Sequence, residues 1–150
     1  ELVAHYVERL ACAKAEAVQV RYPDAIVIAA DTSLGVDQEI LGKPESKQHA
    51  FEIWALLSGQ THEVLTGVCV ANAQQLLSTV VRTEVEFQIL SPNDMEEYWA
   101  TGEPIGKAGA YAIQGIAAKF VTRMNGSYSN VVGLPLHETI QLLDRLDQRS

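Results

Sequence analysis

Residues 25–32 read Ala25-Ile26-Val27-Ile28-Ala29-Ala30-Asp31-Thr32. The apolar run over 25–30 is short, continuous and centred on β-branched residues. That is the pattern of a strand buried on both faces. It ends at a carboxylate. Upstream, Tyr22-Pro23-Asp24 breaks the chain. Before the break, residues 1–21 carry Val3, Val7, Leu10 and Ala17 at helical spacing. The sequence opens inside this helix with no cap before Glu1, and the expectation is that further residues precede it. Downstream, a second strand over 33–36 turns at Asp37-Gln38 and returns through Glu39 to Leu41. Gly42-Lys43-Pro44 follows as a loop.

Farther on, Ser46 is positioned to cap a helix to about Leu57, with Phe51, Trp54, Ala55 and Leu57 as its apolar groups. Ser58-Gly59 stops it. Residues 61–71 and 76–89 read as an antiparallel strand pair joined through Asn72, Ala73 and Gln74. In the second strand Val81, Thr83, Val85 and Phe87 alternate with Arg82, Glu84 and Glu86, one face buried and one solvated. Ser91-Pro92 opens a helix to about Ala100, in which Trp99, like Trp54 before it, is a packing residue. A stretch containing glycine and proline covers 101–109, a strand 120–124, and a turn Asn125-Gly126. A last helix begins near Leu134-Pro135 and points Leu136, Ile140, Leu143 and Leu146 inward. Helices and strands interleave, which predicts one mixed α/β domain over residues 1–150.

A chain of 150 residues with 47% hydrophobic and 20% charged side chains has globular composition. No apolar run is long enough to span a membrane. The formal net charge of −8 disfavours nucleic acid polymers and anionic membranes, which are met with a basic face. A small phosphorylated ligand stays open, because a few lysines in a cleft outweigh the mean charge locally. So does a divalent cation. Cys12 and Cys69 are too few for a disulfide framework or a four-cysteine zinc site, and both lie in apolar company as core thiols. His5, His49, His62 and His137 show no H-x-x-x-H spacing and read as surface or strand residues. The expected setting is a reducing, cytoplasmic one.

Asp31 stands where the apolar run ends, and ligand sites in α/β sheets favour the carboxyl ends of strands. A carboxylate there either ligates Mg²⁺ or accepts a proton from water, or it caps backbone amides in a turn. Lys14 lies in the apolar stripe of the first helix, one turn beyond Leu10. It either snorkels to water or turns its ammonium toward a phosphate. Lys43 and Lys107 each follow a glycine in a loop, where backbone approaches an anion closely and lysine adds a point charge. Residues 103–115 read Glu-Pro-Ile-Gly-Lys-Ala-Gly-Ala-Tyr-Ala-Ile-Gln-Gly. Gln114 offers a donor and an acceptor to a base edge, although the same stretch is also readable as a packed loop without ligand. Residues 125–135 form a second small, polar segment leading into a helix, suited to an anion or simply to a turn and cap.

These pieces occur together and in order: Tyr6-Val7-Glu8-Arg9-Leu10-Ala11 followed by Lys14-Ala15; Ala30-Asp31-Thr32; Leu41-Gly42-Lys43-Pro44; Leu57-Ser58-Gly59-Gln60-Thr61-His62; Glu103-Pro104 through Lys107-Ala108-Gly109-Ala110-Tyr111; Ile113-Gln114-Gly115; and Asn125-Gly126-Ser127-Tyr128 through Val132-Gly133-Leu134-Pro135. In this order the sequence resembles the Maf family of nucleoside triphosphate pyrophosphatases. The resemblance implies an α/β Maf/ITPase-like domain with an elongated mixed sheet, flanking helices and a nucleotide cleft, commonly a homodimer. It implies hydrolysis of a nucleoside triphosphate to the monophosphate and pyrophosphate with Mg²⁺ or Mn²⁺.

By matching positions, Asp31 is the general base or metal-linked carboxylate, and Lys14, Lys43 and Lys107 neutralise phosphate charge in the transition state. Thr32 and Gln114 are implied to contact substrate, Gln114 reading the base. The pattern from Lys107 to Gln114 looks like the branch acting on dTTP and UTP rather than the one acting on 7-methyl-GTP. The role implied is clearance of noncanonical or excess nucleotides, with a link to arrest of septum formation also attached to the family. Members of the family open with a strand, a Ser-x-Ser-Pro-Arg-Arg phosphate loop and a glutamate, which this sequence does not contain. Serine at position 33 also replaces the usual apolar residue. The alternative expectation is therefore a noncatalytic nucleotide-binding or dimerisation module that has lost the phosphate loop.

Overall fold

The first helix, α1 (Val3–Arg21), buries Val3, Val7, Ala11 and Ala15, one residue per turn. The computed structural model describes residues 2–148, so Glu1 lies outside the described residues. The buried row differs from the expected one: Leu10 is only half-buried and Ala17 is exposed. Alanines at 11 and 15 let the helix lie close to its neighbour, and Gly67 completes the fit. A Cβ at Gly67 would run into the backbone carbonyl of Val7.

Residues 27–36 form one continuous strand, β1 (Val27–Val36), where the sequence suggests two. It turns at Asp37 and Gln38, both at positive φ (50° and 70°), into β2 (Glu39–Leu41). Two such residues give the turn whose twist matches an antiparallel hairpin. The pairing is antiparallel, with Leu34 opposite Leu41 and Val36 opposite Glu39. The next strands are β3 (Thr61–Ala71), as expected, and β4 (Leu76–Phe87), which stops short of Ile89. Their short connection, closed by Asn72 accepting from the amides of Gln74 and Gln75, makes them a hairpin. Antiparallel to β4 runs β5 (Val121–Asn125), with Val85 opposite Met124. The sheet has five strands in the order β2-β1-β3-β4-β5.

That order moves the doubly buried strand. The apolar run over 25–30 is not covered on both faces: Ile26 is 55% and Ile28 47% exposed. β2 reaches only Leu34, Gly35 and Val36, so among the described residues the earlier part of β1 has a strand neighbour on one side only. The central strand β3 is instead buried from Val64 to Ala71.

Four further α-helices lie among the described residues. α2 (Lys47–Leu57) starts at Ser46, whose side chain accepts from the His49 amide, and buries Ala50, Ile53, Trp54 and Leu57. Phe51 is half-buried and Ala55 exposed. α3 (Pro92–Ala100) opens with a reciprocal cap between Ser91 and Asp94. Its buried aromatic is Tyr98, while Trp99 is only half-buried. α4 (Tyr128–Val132) is a single turn too short for sequence periodicity to register. α5 (Leu136–Gln148) turns Thr139, Leu142 and Leu146 inward, leaving Leu136 and Ile140 exposed, contrary to expectation. Thr139 tolerates burial because its hydroxyl donates to the Pro135 carbonyl at 2.7 Å.

The chain divides into two compact units. The first comprises residues 1–32, 65–82 and 127–150. There α1 covers one sheet face over Val27, Cys69 and Ala71, and α5 covers the other, with Leu142 and Leu146 against Val68 and Val70. The second comprises residues 33–64 and 83–126. Its interior is aromatic: Trp54, Tyr98, Phe120, Phe87, Tyr111 and His62 stack edge to face or tilted in sequence.

Candidate active site

In the first unit, Lys14 and Asp31 meet. α1 carries Lys14 at the margin of its buried row, and the ammonium donates to Asp31 Oδ1 at 2.9 Å and to the Ala30 carbonyl at 3.2 Å. The Asp31 side chain is 17% exposed and that of Lys14 53%. Lys14 is thus neither a buried stripe residue nor an unattached lysine on the surface. An ammonium has three protons; two are used here, and one remains for a ligand. Among the described residues Asp31 Oδ2 carries no hydrogen bond.

Thr32 is the next residue on β1, so its side chain leaves the opposite face of the sheet. Its hydroxyl lies 2.8 Å from that of Thr66 on β3, which in turn donates to the Asn130 carbonyl at 3.1 Å. The structure therefore does not set the Thr32 hydroxyl beside the Asp31 carboxylate.

The second unit holds the remaining candidates. The two Gly-Lys loops are neighbours: the Gly109 amide donates to the Gly42 carbonyl at 3.0 Å. Lys43 and Lys107 are both exposed, and among the described residues neither side chain makes a hydrogen bond or ion pair. Below them the segment is tied to the aromatic interior. Trp54 Nε1 donates to the Ala110 carbonyl at 3.0 Å, and Tyr111 shares a 2.6 Å hydrogen bond with His62 Nε2.

Gln114 is exposed on a turn held by Glu103. One Glu103 carboxylate accepts from the Tyr98 hydroxyl and from the amides of Ile116 (3.0 Å) and Ala117 (3.3 Å). A Cβ at Gly115 would collide with that carboxylate, so only glycine lets the turn close on it. Partial burial works to raise the Glu103 pKa, but the Tyr98 hydroxyl, the two amides and the charge of Lys107 outweigh it and hold the group below its ordinary value. Tyr98 is pushed up by burial and by the same hydrogen bond. Neither residue was singled out from sequence. The only signal was that Glu103 opens the small-residue segment, and nothing in its spacing named its partners.

The other candidates from sequence behave as packing groups. Cys69 is buried, and burial together with neighbouring Cys12 pushes its thiol up to about 12. His62 is buried among aromatic rings, and burial lowers its pKa to about 4. Among the described residues, no three Asp, Glu, His or Cys side chains cluster to hold a metal ion.

The fold and these groups define an α/β protein in which a strand acid is paired with a helix lysine and two glycine–lysine loops adjoin each other, the lysines being donors suited to phosphate oxygens. The chain belongs to the Maf family: the family model described as Maf-like protein matches residues 1–146. It is 64% identical to the dTTP/UTP pyrophosphatase of Acinetobacter baylyi over 97% of this chain and 80% of that protein. The proteins of the same name from Symbiobacterium thermophilum and Shigella dysenteriae are 51% and 47% identical, over 93% and 98% of this chain and 72% and 75% of theirs.

Proposed function

We propose that this protein hydrolyses nucleoside triphosphates, with dTTP and UTP as its substrates, to the monophosphate and pyrophosphate. The observation that carries the reading is 64% identity, over 97% of the chain, to a protein named for that activity. Relatives so named do not favour the noncatalytic alternative. In this reading the whole of residues 1–150 acts as one catalytic domain in nucleotide-pool clearance.

The reaction adds water at the α-phosphorus and breaks the bond to the oxygen bridging the α- and β-phosphates, releasing pyrophosphate. Asp31 accepts a proton from the attacking water. Lys14 holds Asp31 by one proton and the strand carbonyl by another, and presents its third to a phosphate oxygen. Lys43 and Lys107, unpaired and exposed, supply further positive charge as negative charge moves onto the leaving group. Gln114, on its glutamate-braced turn, contacts the base, and Thr32 contacts substrate.

A divalent cation is part of the reading. Mg²⁺ is commonly held by one or two carboxylates together with substrate phosphates, and Asp31, with Oδ2 uncommitted, fits that donor set. When bound, Mg²⁺ or Mn²⁺ would neutralise phosphate charge and polarise the reacting phosphoryl group. No helix among the described residues is long and apolar enough to cross a membrane. We place the protein in the cytoplasm as a homodimer that binds neither membrane nor nucleic acid polymer.

The test is pyrophosphate release by the full-length protein from a panel of nucleoside triphosphates with Mg²⁺ or Mn²⁺. Release from dTTP and UTP above the others is expected. A folded protein that binds these nucleotides and releases no pyrophosphate would instead be the noncatalytic module.

A further inference from the structure

We propose that Trp54 is a positioning residue for Lys107: its indole N–H holds the Ala110 carbonyl and so keeps the turn that carries the lysine in a backbone conformation that alanine alone would leave. The inference rests on the proposed function, in which Lys107 supplies positive charge to the leaving group, and it names the residue that fixes where that charge sits.

The chain passes through two consecutive positive φ angles just after Lys107, 71° at Gly109 and 61° at Ala110. Glycine adopts the first without strain. Alanine resists the second, because its Cβ crowds the following carbonyl oxygen. Ala110 is also fully buried, with no water to compensate its backbone groups. A residue strained in this way persists only where its surroundings hold it.

The holding contacts run directly from Lys107 to Trp54. The Ala110 amide donates to the Lys107 carbonyl at 2.9 Å, which closes the turn on the lysine. The Ala110 carbonyl accepts from Trp54 Nε1 at 3.0 Å, in a buried bond. Trp54 is itself held: it is 1% exposed, and its ring packs against Phe51 and Tyr98 with centroids 5.5 and 5.3 Å away. Its N–H therefore has a fixed direction.

The strain of one left-handed alanine and the net worth of one hydrogen bond are of the same order. The tether is thus large enough to decide the conformation. Without the donor, the Ala110 carbonyl is buried with no partner while the strain remains. The peptide then rotates toward a relaxed conformation, and the turn that closes on Lys107 opens with it.

The experiment is a double-mutant cycle in the full-length protein. Trp54→Phe keeps an aromatic ring and loses the donor, and Ala110→Gly relaxes the strain. In the wild-type background Trp54→Phe is expected to lower kcat for dTTP about tenfold with KM within about twofold, since Lys107 acts as charge moves onto the leaving group. In the Ala110→Gly background the same substitution is expected to lower kcat by less than about threefold, because glycine keeps the left-handed conformation untethered. A second readout needs no turnover. Lys107 is exposed, and cleavage of the native chain after it by trypsin is expected to be about tenfold faster in Trp54→Phe and to slow again when Ala110→Gly is added. Equal losses of kcat in the two backgrounds, as a merely packing role would give, overturn the inference; so does a folded Trp54→Phe protein with wild-type kcat or wild-type cleavage. If Trp54→Phe does not fold, the benzothiophene analogue of tryptophan at position 54 keeps the bicyclic shape without the N–H, and the same comparisons decide. Each of these outcomes leaves the pyrophosphatase reading intact. A wild type that hydrolyses neither dTTP nor UTP overturns that reading, and this inference with it.

Discussion

Asp31 is held by one ammonium and a strand, so exchanging its carboxylate for an amide keeps the shape and removes the base. For Asp31→Asn the expected result is a loss of about 10²- to 10⁴-fold in kcat, with nucleotide affinity changed only a few-fold. Pyrophosphate release and calorimetric titration on the same protein check the two halves. Normal turnover would strike Asp31 from the catalytic roles. The acid was legible because a carboxylate closing an apolar run is conspicuous, and Lys14 because a charge beside an apolar row demands an explanation. Their hydrogen bond was not legible, since nothing local fixes how α1 is rotated against β1. The partners of Trp54 and Glu103 were missed for a related reason. They lie on another element or beyond a loop, and a hydrogen bond is visible only once donor and acceptor face each other.

Elements bring these groups into place through backbone proximity, most clearly where α1 crosses β3. Gly67 faces the Val7 carbonyl with no room for a methyl group, and the obstacle is backbone, which cannot rotate away. Gly67→Ala should push α1 outward, costing about 2–3 kcal/mol by overpacking and lowering kcat/KM because Lys14 rides on the displaced helix. Urea midpoints and steady-state kinetics measure the two effects; a variant as stable and as active as wild type would show that the helix has slack. The longer helices were legible from local signals such as the Ser46 cap and Ser91-Pro92, which act within one turn. The inward faces of α1 and α5 were not. Leu10, Leu136 and Ile140 sit at plausible helical spacings, yet Ala11, Ala15 and Thr139 are the residues turned inward, because close approach and a local hydroxyl–carbonyl bond outweigh hydrophobicity at those positions.

Across the molecule as a whole, acid should destabilise. His62 has a pKa of about 4 in the folded protein against 6.5 for the free side chain, because burial penalises its charged form. Above about pH 6.5 it is neutral in both states and costs nothing. As pH falls, the unfolded chain takes up a proton that the native protein refuses, so stability drops until the native histidine titrates near pH 4. The full effect is about 3 kcal/mol. Glu103 adds in the same direction: its pKa is held below the ordinary value, and the stability this confers is lost as the native carboxyl is protonated. Urea unfolding at pH 7.5 and at pH 5 should show the loss, and His62→Asn should reduce the pH dependence even if it lowers stability throughout; an undiminished slope would place the effect elsewhere. By itself the sequence determined the class of fold, most strand and helix limits and the family, and it named Asp31 and the lysines as candidates, because periodicity, caps and ordered motifs are local properties of the chain. Only the tertiary structure decided which strand is central, which helix faces turn inward, that Thr32 points away from Asp31, and which partners Trp54 and Glu103 bind. Those outcomes depend on which backbones approach closely and which buried polar groups find partners, and both are set by contacts between residues far apart in the chain.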